Sequence, residues 1–484
     1  MTKNLRGNER VARAARSFGA LFVTLLLAAP ATAGGPGSGV RFADHGLLTP
    51  TLDVGVQFQS NPFLVDGGGT SADRQVVRGV NLLARPQIKL EINNDLLILD
   101  ATASLAARQF LNKSARNLSR ATDSTALANL DLLPEAVVGL KLGEDFYIDN
   151  RPSEARFAGL EDNSGRPFVT QIHSGSDAWL AVHPGGALNI DVGGFFDVDD
   201  FTTNPNSTPS PADDNNSGLL GAELNNRWRY GPQLNVKWAF FPKTSLLASA
   251  EFERFSWENN LIQTTGGTAL EFTDDWLAMP DGLGFRVNAG LSGRFTKKIV
   301  LNTTIGYGQL RYDTASVEEE AATKAAAGVQ GLGSLDSASQ GWDASLTTFG
   351  QGLLVTSKLA WAPRKNQTFS LGYVKDYQDS WFTNYVSYHY GFLRYEGKLS
   401  RRLTVNGNFG YRMEKYRGHV TRDDQVTTLM VGGTYSLQNW VAVSVDTGWN
   451  RRVSCPDSLC ASGNADSRRE YDNVPVNVLF TFSY

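Results

Sequence analysis

Apolar and polar residues alternate with a period of two along much of this chain, as they do in strands whose side chains point to opposite faces. The clearest segment ends the sequence. Val474, Val476, Val478, Phe480, Phe482 and Tyr484 share one face, and Asn473, Asn477, Thr481 and Ser483 share the other. Leu403, Val405, Phe409, Tyr411 and Met413 alternate with Thr404, Asn406, Asn408, Arg412 and Glu414. Val441, Val443 and Val445 alternate with Ala442, Ser444 and Asp446. The same holds for Phe285, Val287, Ala289 and Leu291, for Trp228, Tyr230, Leu234, Val236 and Trp238, for Leu188, Ile190, Val192, Phe196 and Val198, and for Leu52, Val54, Val56 and Phe58. A soluble sandwich also alternates, but it hides its apolar face against a second sheet and its strands average about five or six residues. Several segments here run longer, which suits tilted strands crossing a hydrocarbon layer of about 25–30 Å.

Connection lengths alternate as well. Tight joins at 93–95, 133–135, 183–186, 241–243, 296–298, 363–366, 400–402 and 437–439 separate longer polar stretches. Those stretches lie at 61–75, 111–122, 150–166, 200–218, 257–283, 313–342, 378–381, 418–423 and 453–469. Eight short joins and nine long ones predict about eighteen strands. The expected fold is therefore all-β, a transmembrane antiparallel up-and-down β-barrel with long extracellular loops. An even strand count places both termini at the short-turn rim, the periplasmic side of such a barrel. One loop segment, Ser316 to Ala327, reads as a helix with Ser316 as N-cap and Gly328 as its stop. It is either a lid over the mouth or a solvated surface helix, the second being the simpler reading.

Composition fits this picture. Charged residues make up 19%, aromatics 11%, and glycine contributes 48 residues of 484. Mean hydropathy is −0.25, as expected where only every second strand residue meets lipid. Residues 1–33 read as a secretory signal peptide. Lys3, Arg6, Arg10, Arg13 and Arg16 precede an apolar core from Ser17 to Ala29, and Ala31-Thr32-Ala33 forms a small-x-small cleavage site before Gly34. Its removal takes away five positive charges and one negative, moving the net charge from −4 to −8. That acidic balance argues against nucleic acid as a partner. Residues 34–46 form a short periplasmic segment, and 47–484 form the barrel. Cys455 and Cys460, close together in an exported chain, read as a local disulfide. No metal ligand set accompanies them, and no cofactor is implied.

The polar faces nominate lumen-lining residues: Arg227, Arg229, Lys237, Arg286, Arg294, Asp191, Asp197, Asp199, Tyr388, Tyr390, Arg394 and Glu396. Acids and bases nearly balance over all predicted lumen positions. They are nevertheless segregated, with acids on the strand 187–199 and bases on 224–240. This segregation gives either a transverse field that orients dipolar solutes or a structural charge network. Inward Tyr388, Tyr390 and Phe392 suggest a stacking surface for sugar rings, unless a bulge flips the register there. Enzymatic readings are weak. His173 adjoins Ser174, but successive strand residues point to opposite faces and cannot form a nucleophile–base pair.

The opening strand, Thr51-Leu52-Asp53-Val54-Gly55-Val56 followed by Ser60-Asn61-Pro62-Phe63, together with the aromatic C-terminus, resembles outer-membrane β-barrel porin families of the kind associated with exopolysaccharide secretion. The resemblance implies a Gram-negative outer-membrane location. It also implies a passive conduit for an exported polysaccharide, working with a periplasmic polysaccharide-export partner. The C-terminal stripe is similar to the signal read by the barrel-assembly machinery. A general or solute-selective diffusion porin is the alternative, and a surface receptor or structural barrel is the third reading.

Overall fold

The computed structural model of this chain describes residues 31–33, 36–42, 45–61, 78–111, 122–149, 169–203, 226–263, 276–327, 345–380, 383–418, 422–455 and 471–484. Eighteen strands form its wall. They are β1 (Gly46–Gln59), β2 (Gly79–Asn93), β3 (Leu97–Phe110), β4 (Thr122–Leu132), β5 (Val138–Asp149), β6 (Val169–Gly185), β7 (Leu188–Thr203), β8 (Arg227–Phe241) and β9 (Thr244–Trp257). They continue as β10 (Asp281–Arg294), β11 (Ile299–Asp313), β12 (Leu353–Arg364), β13 (Gln367–Asp379), β14 (Tyr385–Lys398), β15 (Leu403–Arg417), β16 (Arg422–Gln438), β17 (Val441–Cys455) and β18 (Pro475–Ser483). Each pairs antiparallel with its sequence neighbour. The last closes on the first, from Pro475 opposite Gln59 to Ser483 opposite Thr51. Closure leaves no edge with unpaired backbone groups, which a bilayer would not tolerate.

The eight tight joins fall where the sequence places them and nine longer ones alternate with them, but β12 starts only at Leu353, about ten residues after the predicted end of the stretch 313–342. The antiparallel β1–β18 pair therefore brings the beginning of β1 and the end of β18 to the short-turn rim. The predicted register also holds. Leu52, Val54, Val56, Phe196, Val287, Leu393, Phe409, Val445 and Phe480 are exposed on the outer wall, whereas Asp53, Asp199, Arg227, Glu414 and Arg452 are buried inside. At the short-turn rim the outer wall carries an aromatic girdle. Trp361 stacks on Phe369 at 5.5 Å, Phe369 meets Tyr395 at 4.8 Å, and Trp440 meets Phe482 at 6.5 Å. Amphipathic rings favour this boundary between hydrocarbon and water.

Short additions decorate the barrel. Val40–Phe42 pairs with Gly46–Leu48 and with Ala31–Ala33, so the expected cleavage site lies in a three-residue strand. Helix α1 (Thr314–Ala326) corrects the predicted cap. Asp313, not Ser316, accepts from the Ala315 N–H, while the Ser316 hydroxyl donates back to the Asp313 carbonyl. The helix docks on the neighbouring loop. Glu320 accepts from the backbone N–H of Leu261 at 3.1 Å and also from that of Asn260, and Val317 is fully buried. A freely solvated helix would make neither contact. The expected disulfide cannot be followed, because Cys460 lies outside the described residues; Cys455 ends β17.

Candidate functional site

The upper end of the lumen is narrowed by one hairpin. β12 begins only at Leu353, and its last pair with β13 is Val355 with Lys375. Residues 376–379 of β13 therefore lack a β12 neighbour but stay paired with β14 as far as Asp379 opposite Tyr385. Held on one side only, the tip leans into the lumen. The Tyr377 hydroxyl donates to the carbonyls of Phe285 at 3.0 Å and Gln309 at 3.4 Å. The Tyr312 hydroxyl donates to the Asn384 carbonyl at 2.6 Å. Tyr377, Tyr385, Phe255, Leu310, Leu346 and Leu354 form a buried apolar cluster between the tip and the wall. Leu346 comes from the segment after α1, where it bridges to Leu310.

Asp379, at the tip, bridges two arginines on a strand five places away around the barrel. It accepts from Arg227 and stands 3.5 Å from Arg229. Arg227 also donates through Nε to Asp199 at 3.0 Å, and Arg229 donates to Asp197 at 2.7 Å. His173 lies between Asp199, 2.7 Å from its Nδ1, and Asp145, 3.1 Å from its Nε2, with Tyr147 stacked on its ring at 4.6 Å. Arg286 donates to the Tyr377 carbonyl at 2.9 Å, lies over the Tyr377 ring, and faces Glu251 at 3.5 Å. Charges at this depth are tolerated because each has opposite partners and hydrogen bonds.

Against this network lies a cavity of about 310 Å³. Its lining includes the carboxylates of Asp145, Asp177, Asp197, Glu251 and Glu253, but only two guanidinium groups, Arg229 and Arg286. The near-balance predicted over the whole lumen thus conceals a local acidic excess. Of the two readings of the segregated acids and bases, the contacts fit the structural charge network. β7 and β8 are adjacent, Arg227 lies opposite Asp199 and Arg229 opposite Asp197 in register, and their fields cancel locally.

The other nominated residues separate into groups. Asp191 binds Lys141 at 3.0 Å. Lys237 and Arg294 stand exposed near the short-turn rim, away from the narrowing. Tyr388, Tyr390 and Phe392 do face inward. Arg412 covers the Tyr388 ring at 4.0 Å, Tyr390 stacks on Phe392 at 5.5 Å, and Arg394 lies 5.9 Å from the Phe392 ring. Arg394 and Glu396 are exposed below them. Arg412 leads into a second buried network, in which it binds Glu414 at 3.0 Å and Glu414 binds Arg452 at 2.9 Å. Asp424 and the Tyr416 hydroxyl complete it. The sequence reading missed Tyr377 because strand parity places it with the lipid-facing Leu371 and Tyr373, and missed Asp379 because it falls in the stretch 378–381 read as an outer loop. Only the bend turns them inward.

A closed eighteen-stranded barrel with an apolar outer wall and a charged, narrowed interior defines a transmembrane β-barrel of the outer-membrane type. Residues 338–469, which include β12 to β17, match the family described as Putative beta-barrel porin 2. No curated protein matches the chain in sequence. Among solved structures, the chain is similar to the outer membrane protein opdK from Pseudomonas aeruginosa, with 12% identity and TM-score 0.41 over 90% of this chain and 99% of that one. It is also similar to OccAB3 from Acinetobacter baumannii, with 10% identity and TM-score 0.41 over 91% and 100%. A bacterial polysaccharide outer membrane secretin aligns with 10% identity and TM-score 0.31 over 90% and 98%. The barrel assignment rests on the strand register, not on these scores.

Proposed function

We propose that the protein is a solute-selective diffusion channel that favours small cationic or zwitterionic solutes. One observation carries this reading: the β13–β14 tip, tied across the lumen by Asp379, stands beside a cavity whose five carboxylates outnumber its two arginines. Fixed charge in a narrow, poorly solvated passage repels co-ions and concentrates counter-ions. In this reading the long loops are extracellular and both termini periplasmic, after removal of residues 1–33. The test is the reversal potential of the purified barrel in a planar bilayer under a potassium chloride gradient. Cation preference, reduced in the Asp197→Asn/Glu251→Gln variant, supports the proposal. Anion preference, or the same potential in both proteins, overturns it.

The inward column of Tyr388, Tyr390 and Phe392 favours a second reading, a conduit for an exported exopolysaccharide with a periplasmic export partner. Aromatic faces let hydrated sugar rings slide with little specific binding. That reading requires the Asp379 tip to swing aside. Deletion of the gene should then abolish surface polysaccharide while its synthesis continues, with restoration on complementation. Unchanged surface polymer removes this reading.

A further inference from the structure

Outward-facing charge in a transmembrane barrel is costly near the bilayer centre and tolerated only towards the interfaces. At the loop side of β13 to β15, the outer wall changes from apolar to basic within one residue pair. Tyr373 and Met413 are the last apolar outward positions, and Lys375 and Lys415 follow them. His389 lies between the two lysines. It is opposite Lys375 in register, within electrostatic reach of both lysines, and hydrogen-bonded through Nδ1 to the Tyr373 hydroxyl at 2.8 Å. The one acid opposite Lys415, Asp423, is engaged by Arg417 at 2.9 Å, so the patch keeps its positive charge.

A short helix, α2 (Phe349–Gly352), borders this patch above the start of β12. Phe349 is 72% exposed, stacked on the outward Tyr307 ring at 5.7 Å. The Gly350 carbonyl accepts from Lys375 at 2.8 Å. The result is an outward shelf just beyond the apolar belt, in which an exposed aromatic ring over β11 is followed along the wall by Lys375, His389 and Lys415 on β13, β14 and β15. An aromatic ring seated at the hydrocarbon boundary with ammonium groups beside it suits a lipid headgroup. A small soluble anion would use the lysines and have no use for Phe349.

We infer that this shelf binds an anionic lipid of the leaflet at the loop-side rim, with Lys375, His389 and Lys415 facing its phosphate and Phe349 packing beside its acyl boundary. The site is separate from the lumen and does not depend on what the channel carries. The test is native mass spectrometry of the mature chain in neutral detergent micelles doped with bisphosphorylated lipid A or with phosphatidylcholine. Lipid A should be retained preferentially, by about fivefold for each lysine engaged. Lys375→Gln/Lys415→Gln should retain the two lipids equally, whereas Arg401→Gln/Arg402→Gln, at the opposite rim, should keep the preference. Heat-modifiable gel mobility reports folding. If the double variant fails to fold, Phe349→Ser is measured in its place and should lower lipid A retention. Equal retention of both lipids by the wild-type chain overturns the inference, as does unaltered preference in the folded variant. Displacement of lipid A by excess inorganic phosphate would assign the site to a free anion and also overturn it. Ion selectivity of the same preparation is read separately, so failure here leaves the channel proposal standing.

Discussion

Asp379 is 7% exposed and answers two guanidinium groups. Removing one partner of a buried ion pair leaves the other desolvated without compensation, at a cost of about 3–5 kcal/mol. Asp379→Asn should therefore release the β13–β14 tip while leaving the remote wall intact. The expected outcome is larger single-channel conductance and faster amide exchange confined to residues 375–386. Unchanged conductance would show that the tip does not limit the passage. Gly308 offers a second route to the same tip. A Cβ there would lie 2.3 Å from the Tyr377 hydroxyl, so Gly308→Ala must push Tyr377 away from the carbonyls of Phe285 and Gln309. It should loosen the tip in the same exchange measurement, by less than Asp379→Asn because no charge is stranded.

Strand register is the element-scale property on which every assignment of lumen and lipid positions depends, since a slip of one residue inverts both lists. β17 offers a direct check. Val443 lies opposite Phe480, and Asp446 opposite Asn477. A small water-soluble thiol reagent added to the reconstituted barrel should modify Asp446→Cys and spare Val443→Cys, and the reverse would invert the face. Helix α1 makes a different claim. Its buried Val317 and the Glu320 carboxylate on the 260–261 backbone hold two loops together. Val317→Asp should undock the helix and speed proteolytic cleavage within 314–327, with ion selectivity unchanged because the lumen network does not involve it.

For the whole molecule, the apolar outer wall, the aromatic girdle and the closed ring of hydrogen bonds account for membrane insertion without a conventional core. Among the described residues, what is buried is about as often polar as apolar. The networks around Asp199 and Glu414 lie on opposite sides of the hairpin tip and brace the interior with ion pairs. Ion pairs exposed to lumen water are screened by salt, whereas the buried ones are screened much less. Raising ionic strength should therefore weaken selectivity before it affects folding, with the reversal potential collapsing while the heat-modifiable gel mobility persists.

The alternation of residues and of connection lengths determined the strand count, the faces and the rim at which the termini meet, because each is a local consequence of a period-two backbone in a bilayer. The inward Tyr388, Tyr390, Arg227 and Arg229 were legible for the same reason. Parity could not reveal that β12 starts short, that the β13–β14 tip therefore leans inward, or that Asp379 meets Arg227 from 152 residues away in sequence. It could not show that the acids and bases of β7 and β8 neutralise one another, nor that α1 docks on its neighbouring loop. These depend on which segments closure of the barrel brings together, and only the tertiary structure decides that.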